Sequence, residues 1–269
     1  MGRIDKGQLA AHFGRRVRSF DEATPLQAQM AAALVSKAQV HFAGRTVASV
    51  LELGCGTGRM TRQLARAFPQ ARMTAVDISP GMIGHAQASI TGVDFRVADA
   101  EVHLLHDPGD YDLIVSNAAA QWFEEATATL ARARAHLAPE GLLAFSTFGE
   151  KTFRELRSAF ALAYAATGLT PVEHVVPMRS AEVWRRAFPD AEIVERIESR
   201  VFPDVVHFLR SVQGAGAVNS LSGKHFLSRA VLHRMIEAYT EHYRSAVPGG
   251  ITATYHVVYV SIAGRPNRR

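Results

Sequence analysis

Three glycines at alternate positions, Gly54, Gly56 and Gly58, stand in the run Glu52-Leu53-Gly54-Cys55-Gly56-Thr57-Gly58-Arg59, directly after the short apolar segment 47–53. Glycines in such a turn let the backbone bend sharply and approach a ligand more closely than any side chain would allow. The dinucleotide fingerprint G-x-G-x-x-G would place Gly or Ala at position 59, where Arg59 stands, so a nicotinamide oxidoreductase is disfavoured. Asp77 lies 23 residues beyond Gly54. At the end of a second strand, its carboxylate can accept hydrogen bonds from both hydroxyls of a ribose. The competing reading is a surface acid beside the helix that opens at Ser79-Pro80. Asp99-Ala100-Glu101 follows a third strand, and Ser116-Asn117-Ala118-Ala119-Ala120-Gln121-Trp122-Phe123 stands at the end of a fourth. The small residues leave room beside Asn117, while Gln121 and Trp122 can wall a pocket; Trp122 fits a core position equally well. Four elements at the carboxyl ends of successive strands converge on one crevice, where open α/β sheets bind ligands.

The elements that position these residues read as follows. Within residues 1–47, Leu9, Phe13, Val17 and Phe20 share one helical face, and a second helix opens at Pro25 with Leu26, Met30, Leu34 and Val35. Strands are expected at 47–53, 72–76, 95–97, 111–116 and 142–148, with helices at 59–68, after Ser79-Pro80 and at 123–137. Near-continuous apolar strands alternating with helices predict a parallel sheet covered on both faces. Beyond residue 149, helices are expected at 150–166, 179–188, 203–213 and 226–244, and strands near 193–201 and 252–262. With no Gly-, Ser- or Pro-rich linker, one elaborated α/β domain is expected over 1–269. Its parts are lid helices (1–47), a cofactor-binding core (48–148), a helical cap with a sixth strand (149–250), and a last strand with a basic tail (251–269).

The chain has 269 residues, 48% apolar and 20% charged, with one cysteine. That length buries a large core without staples, and a lone Cys55 excludes a disulfide framework. Cys55 reads as a small filler, not a reactive thiol. No stretch is apolar and long enough for a membrane span or a signal peptide, so a cytoplasmic protein is expected, with no membrane partner. The net charge of +5 is uneven: five bases and one acid fall in residues 1–20, and Arg265, Arg268 and Arg269 add three more positive charges. No basic, aromatic-rich module argues for nucleic acid. None of the 12 histidines forms a His-Glu-x-x-His metal site; His103 and His106 read as surface residues, and no metal is expected. A Gly-x-Ser-x-Gly elbow is also missing.

The G-x-G-x-G spacing resembles motif I of class I methyltransferases, which use S-adenosylmethionine. A longer resemblance covers almost the whole chain. It is carried by His12-Phe13-Gly14-Arg15 with Ser19-Phe20-Asp21, the glycine loop, Asp99-Ala100-Glu101, Ser116-Asn117 with Gln121-Trp122-Phe123, Phe145-Ser146-Thr147-Phe148 with Thr152 and Glu155-Leu156, and Thr254-Tyr255-His256-Val257-Val258-Tyr259. On these residues the sequence resembles the malonyl-acyl-carrier-protein O-methyltransferases of biotin synthesis (the BioC type). It departs from them at Phe20, where the family usually has Tyr, and loosely at Glu173-His174-Val175-Val176.

The resemblance implies a mostly parallel, Rossmann-like sheet of seven strands, with N-terminal lid helices and a helical cap inserted before the last strands. It implies S-adenosylmethionine as cofactor. Glu52, Gly54, Cys55, Gly56 and Gly58 would surround its amino-acid end, with Asn117 nearby. Asp77 would take the ribose, Asp99 with the backbone N–H of Ala100 would meet the adenine, and Ile78 and Met82 would also bind the cofactor. The implied acceptor is the free carboxylate of a malonyl thioester on acyl carrier protein, or on CoA; a monomer is expected. A carboxylate is already ionised at neutral pH, so no general base is required and catalysis is by positioning. Arg15 is the candidate partner for that carboxylate, with Arg16 and Arg18 as alternatives. Phe20, Gln121 and Trp122 complete the expected acceptor site, and Phe13 and Phe20 either close over the cofactor as a lid or simply dock their helix. The alternatives are a methyltransferase for a free small acid such as trans-aconitate, an RNA methyltransferase, and an S-adenosylmethionine-binding protein without catalysis.

Overall fold

The computed structural model describes residues 4–214 and 227–265. Residues 1–3, residue 226 of the expected last helix, and Arg268 and Arg269 of the basic tail lie outside the described residues.

The chain opens with two helices, α1 (Lys6–Ala23) and α2 (Pro25–His41). Asp5 caps the first by accepting a hydrogen bond from Gln8 N, and Pro25 stands in the first turn of the second, where its missing N–H is no loss. Strands and helices then alternate: β1 (Ser49–Leu53), α3 (Arg59–Ala67), β2 (Arg72–Asp77), α4 (Pro80–Gln87), β3 (Val93–Val97), α5 (Ala100–His106), β4 (Tyr111–Asn117), a 3-10 turn at Ala120–Trp122, α6 (Ala126–Ala135) and β5 (Leu137–Phe148). The remainder is α7 (Arg154–Thr167), α8 (Ala181–Ala187), β6 (Glu192–Phe202), α9 (Val205–Gly214), α10 (Arg229–His242) and β7 (Ile251–Ala263).

The seven strands form one sheet in the order β3-β2-β1-β4-β5-β7-β6. Pairings from β3 through β5 are parallel, and β7 runs antiparallel to both β5 and β6. The order reverses between β1 and β4, which opens a crevice at their carboxyl ends. Both faces of the sheet are covered. On one, Ala31, Leu34 and Val35 of α2 and Met60 and Leu64 of α3 pack on Val50, Leu113 and Val115. On the other, Trp184 and Phe188 pack edge-on against Phe145 of β5. The cap has its own apolar cluster, in which Phe153, Leu156, Phe208, Met235 and Tyr239 meet Ile251 and Ala253 of β7. Buried Glu155 joins the two bodies by accepting hydrogen bonds from the backbone N–H and hydroxyl of Thr254.

The differences from the expected elements are local. α5 is additional to the expected elements: Asp99 accepts Glu101 N at 3.0 Å and so caps a helix of seven residues, too short to show a clear period. α6 begins at Ala126 instead of 123, because the N–H groups of Glu124 and Glu125 donate to the Glu101 carboxylate and not into a helix. β5 begins at Leu137, five residues early, and its pairing with β4 shifts register across Pro139–Gly141. His103 is not a surface residue: its side chain is 9% exposed and lies 3.2 Å from the Asp107 carboxylate.

Candidate active site

The loop after β1 is held by its backbone. Gly54 N and Cys55 N both donate to Val76 O of the neighbouring strand, at 2.8 and 3.0 Å. Gly54 has φ +78°, and a Cβ there would lie 2.5 Å from the Cβ of Ala119, so position 54 tolerates only glycine. Gly56 is different. It lines the central cavity, and a Cβ there would meet only Phe20 Cε1, at 3.9 Å, so the missing side chain leaves space for a ligand. Gly58 caps α3 and is not among the residues lining the central cavity or the smaller pocket beside it.

Asp77 ends β2 with both carboxylate oxygens engaged by backbone, one accepting Gly56 N at 2.9 Å and the other Ser79 N at 2.8 Å. Burial pushes its pKa up, and those two hydrogen bonds pull against the shift. Glu52 is fully buried; burial pushes it up to about 8, although the Thr61 hydroxyl donates to it at 2.6 Å, and nearby Asp77 adds to the rise. Burial also drives the Cys55 thiol well up, in keeping with an unreactive filler.

A cavity of about 410 Å³ opens where these residues meet. Glu52, Gly54, Cys55, Gly56, Asp77, Met82 and Asn117 line it, together with Phe20, Gln121 and Trp122. A smaller pocket, lined by Ile78, Asp99 and Ala100, shares Phe13, Gly54, Asp77, Ala119 and Trp122 with it. Asn117 is set by two bonds, its amide donating to Gln27 O at 3.0 Å and its carbonyl oxygen accepting the Ser146 hydroxyl at 2.7 Å. Gln121 is buried, donating to Ala118 O and accepting the Thr147 hydroxyl. Trp122 serves both readings given to it, buried in contact with the α1 cluster and lining both cavities.

Helix α1 lies over the crevice and is fastened at both ends. Lys6 reaches the Asp99 and Glu101 carboxylates at 3.3 and 2.7 Å. Asp21 accepts the Thr57 hydroxyl at 2.6 Å and pairs with Arg59 at 3.0 Å. Phe13 packs edge-on against both Phe20 and Trp122, and both phenylalanines line the cavity. Arg15 lies elsewhere. Two residues along a helix turn the direction by about 200°, so with Phe13 facing in, Arg15 faces out; it is exposed and lines neither cavity.

The cap end of the cavity holds residues that the sequence reading did not single out as ligands: Phe148, Phe153, Met178, Arg200, Ser211 and Tyr255. Phe153 and Ala118 both line it with positive φ, 58° and 50°, a conformation that side chains seldom adopt and that collects at functional sites.

The raised proton affinity of Glu52 has a measurable sign. Between its ordinary 4.5 and about 8 the folded chain keeps a proton that the unfolded chain releases, so stability declines as pH rises through that window and levels off above it. Glu52→Gln removes this contribution. The wild-type midpoint in a denaturant titration is expected to fall relative to the variant between about pH 5 and about pH 8; parallel curves would show that Glu52 is ionised in the folded protein.

Glycine loop, strand-end acids and sheet order together define a class I methyltransferase, the class that takes its methyl group from S-adenosylmethionine. A family model described as a methyltransferase domain matches residues 50–141. The fold resembles the YcgJ protein of Bacillus subtilis (TM-score 0.59, 13% identity, covering 89% of this chain and 99% of that one). It also resembles the plantazolicin methyltransferase BpumL in complex with SAH (TM-score 0.52, 15% identity, covering 97% and 95%). In sequence, the chain is 35% identical over 265 residues to the malonyl-[acyl-carrier protein] O-methyltransferase of Anoxybacillus flavithermus, covering 96% of this chain and 98% of the relative. The chain belongs to the malonyl-[acyl-carrier protein] O-methyltransferase family.

Proposed function

We propose that this chain methylates the free carboxylate of a malonyl group held as a thioester on acyl carrier protein, giving the malonyl methyl ester used early in biotin synthesis. The observation that carries the proposal is the near full-length similarity to relatives named for that reaction. The site agrees with it. S-adenosylmethionine bound in the crevice supplies an electrophilic methyl group on a sulfonium. Asp77 would take the ribose hydroxyls, Asp99 and Ala100 N would take the adenine edge, and Ile78 and Met82 would add to the walls around the cofactor. Glu52, Gly54, Cys55, Gly56 and Asn117 would surround the amino-acid end. Phe13, Phe20 and Trp122 keep water out, and Gln121 is braced in the wall beside Asn117.

No histidine or lysine lines the larger cavity among the described residues, and a carboxylate nucleophile needs no base. The chain's task is alignment, bringing a carboxylate oxygen to about 3 Å from the methyl carbon. An anion attacking a cation loses charge on the way to the transition state, so an apolar enclosure favours the reaction. Outside the cavity, Arg15, Arg16 and Arg18 form no ion pair among the described residues, and their charge can draw an acidic carrier toward the lid.

Labelled S-adenosylmethionine offered with malonyl carrier protein, malonyl-CoA and free trans-aconitate in parallel tests the reading. Label is expected in the malonyl thioesters; label in aconitate alone refutes it. The carrier reaction should also lose roughly tenfold in kcat/KM between about 0.05 and about 0.5 M salt, while a small neutral thioester substrate changes little.

A further inference from the structure

We propose that Arg200, on β6 at the cap end of the cavity, is the cation that receives the acceptor's carboxylate. The inference rests on the carboxyl-methylation reading above and assigns a residue to it.

A carboxylate entering an apolar cavity loses its water and needs a charged partner. Two cations line the cavity among the described residues, Arg59 and Arg200. Arg59 is consumed. Its guanidinium donates to Thr24 O at 2.8 Å and to Asp21 O, and pairs with the Asp21 carboxylate at 3.0 Å, which neutralises it and ties the end of α1 to the glycine loop. Arg200 has no carboxylate partner among the described residues. Its one hydrogen bond runs from Nη2 to the neutral Gln29 Oε1 at 2.6 Å. That contact orients the guanidinium without cancelling its charge and leaves the Nε and Nη1 donors free.

The surroundings fit an anion. Phe148, Phe153 and Val212 make the nearby wall apolar, and Tyr255, packed edge-on against Phe153, lies close enough to Arg200 to feel its charge. Burial pushes the Tyr255 hydroxyl up to about 12, so it stays protonated and cannot compete for the guanidinium as an anion. A carboxylate has two oxygens. With one held by Arg200, the other is free to attack, and holding only one limits the loss of nucleophilicity. Arg200 also lies across the cavity from the glycine loop of β1, on a strand three places from β4 in the sheet, so the acceptor enters between the cap and the cofactor crevice.

The test uses malonyl-N-acetylcysteamine, which carries the carboxylate but neither phosphate nor carrier protein, with the neutral malonamoyl thioester as competing ligand. Wild-type protein is expected to prefer the anionic ligand, and Arg200→Met to lose that preference, with KM for the malonyl thioester rising about 100-fold and KM for S-adenosylmethionine within about twofold of wild type. Arg200→Lys keeps the positive charge that the held oxygen needs but not the geometry of the guanidinium, so it should recover about tenfold of the loss. A purely structural role would move both KM values together and lower the melting temperature, and that outcome overturns the assignment. So does a defect seen only with the phosphopantetheine-bearing carrier, which would place the arginine on the phosphate. If wild-type protein methylates no malonyl thioester, the functional reading itself fails; turnover with discrimination unchanged in the variant removes only Arg200.

Discussion

Asp77→Ala is expected to weaken S-adenosylmethionine binding by about two orders of magnitude. Charge-assisted hydrogen bonds contribute about 1.5–3 kcal/mol each, and in the proposed pose a ribose would present two hydroxyls to this carboxylate. The same carboxylate holds Gly56 N and Ser79 N, so its removal also frees the loop that must approach the ligand and the first turn of α4. Asp77→Asn separates the two effects. An amide can still accept one of the backbone donors but presents no charge to the ribose, so it should bind the cofactor more tightly than Ala and much less tightly than wild type. Calorimetric titration of the purified variants reads this directly. A dissociation constant for Asp77→Ala within threefold of wild type would show that the acid serves the loop alone.

Gly54→Ala is expected to abolish activity through the fold of the site. The added methyl would sit 2.5 Å from the Ala119 Cβ, and both atoms are fixed to backbone, one in the glycine loop and one just after β4. The left-handed φ of +78° adds about 1 kcal/mol of strain, and an overpacked contact of this kind typically costs about 1–3 kcal/mol more. Because the clash pushes the β1 loop away from the β4 end, it widens the crevice where the cofactor must be gripped. The expected result is a chain that still folds, with a melting temperature several degrees lower, and shows no measurable cofactor binding. Near wild-type binding would mean that the two strand ends separate without cost.

Most of the residues on the proposed cofactor side of the cavity are legible in the sequence and few of those at its cap end are, for a physical reason. Gly54, Asp77 and Asn117 each stand at or just past the end of a strand that a short apolar run announces, and Asp99 two residues past β3, so their positions follow largely from local pattern. Arg200 stands on an edge strand whose residues are largely exposed, with no alternation to say which side chains turn inward. Its arrival at the cavity depends on β6 pairing with β7, a contact no local signal encodes. Arg15 is a similar case: it is exposed and lines neither cavity. The helix was legible from Leu9, Phe13, Val17 and Phe20, but the rotation that points those residues inward also turns Arg15 to solvent. Asp99 shows the opposite case, a residue legible as an acid in a loop whose second duty, capping α5 and meeting Lys6, needed the fold.

The place of β7 governs when the molecule can be assembled. It is the last strand of the sheet in chain order but not an edge strand: it pairs with β5 on one side, Phe145 opposite Val260, and with β6 on the other. Ile251 and Ala253 at its start also complete the apolar cluster of the cap. Until this segment emerges from the ribosome, β5 and β6 have no strand between them and the cap lacks part of its core. Pairing across so long a stretch of chain is slow, because loop closure must precede the contacts that reward it. During synthesis two sheet edges therefore stand open at once, a period of exposure to self-association that ends only when the final strand is inserted.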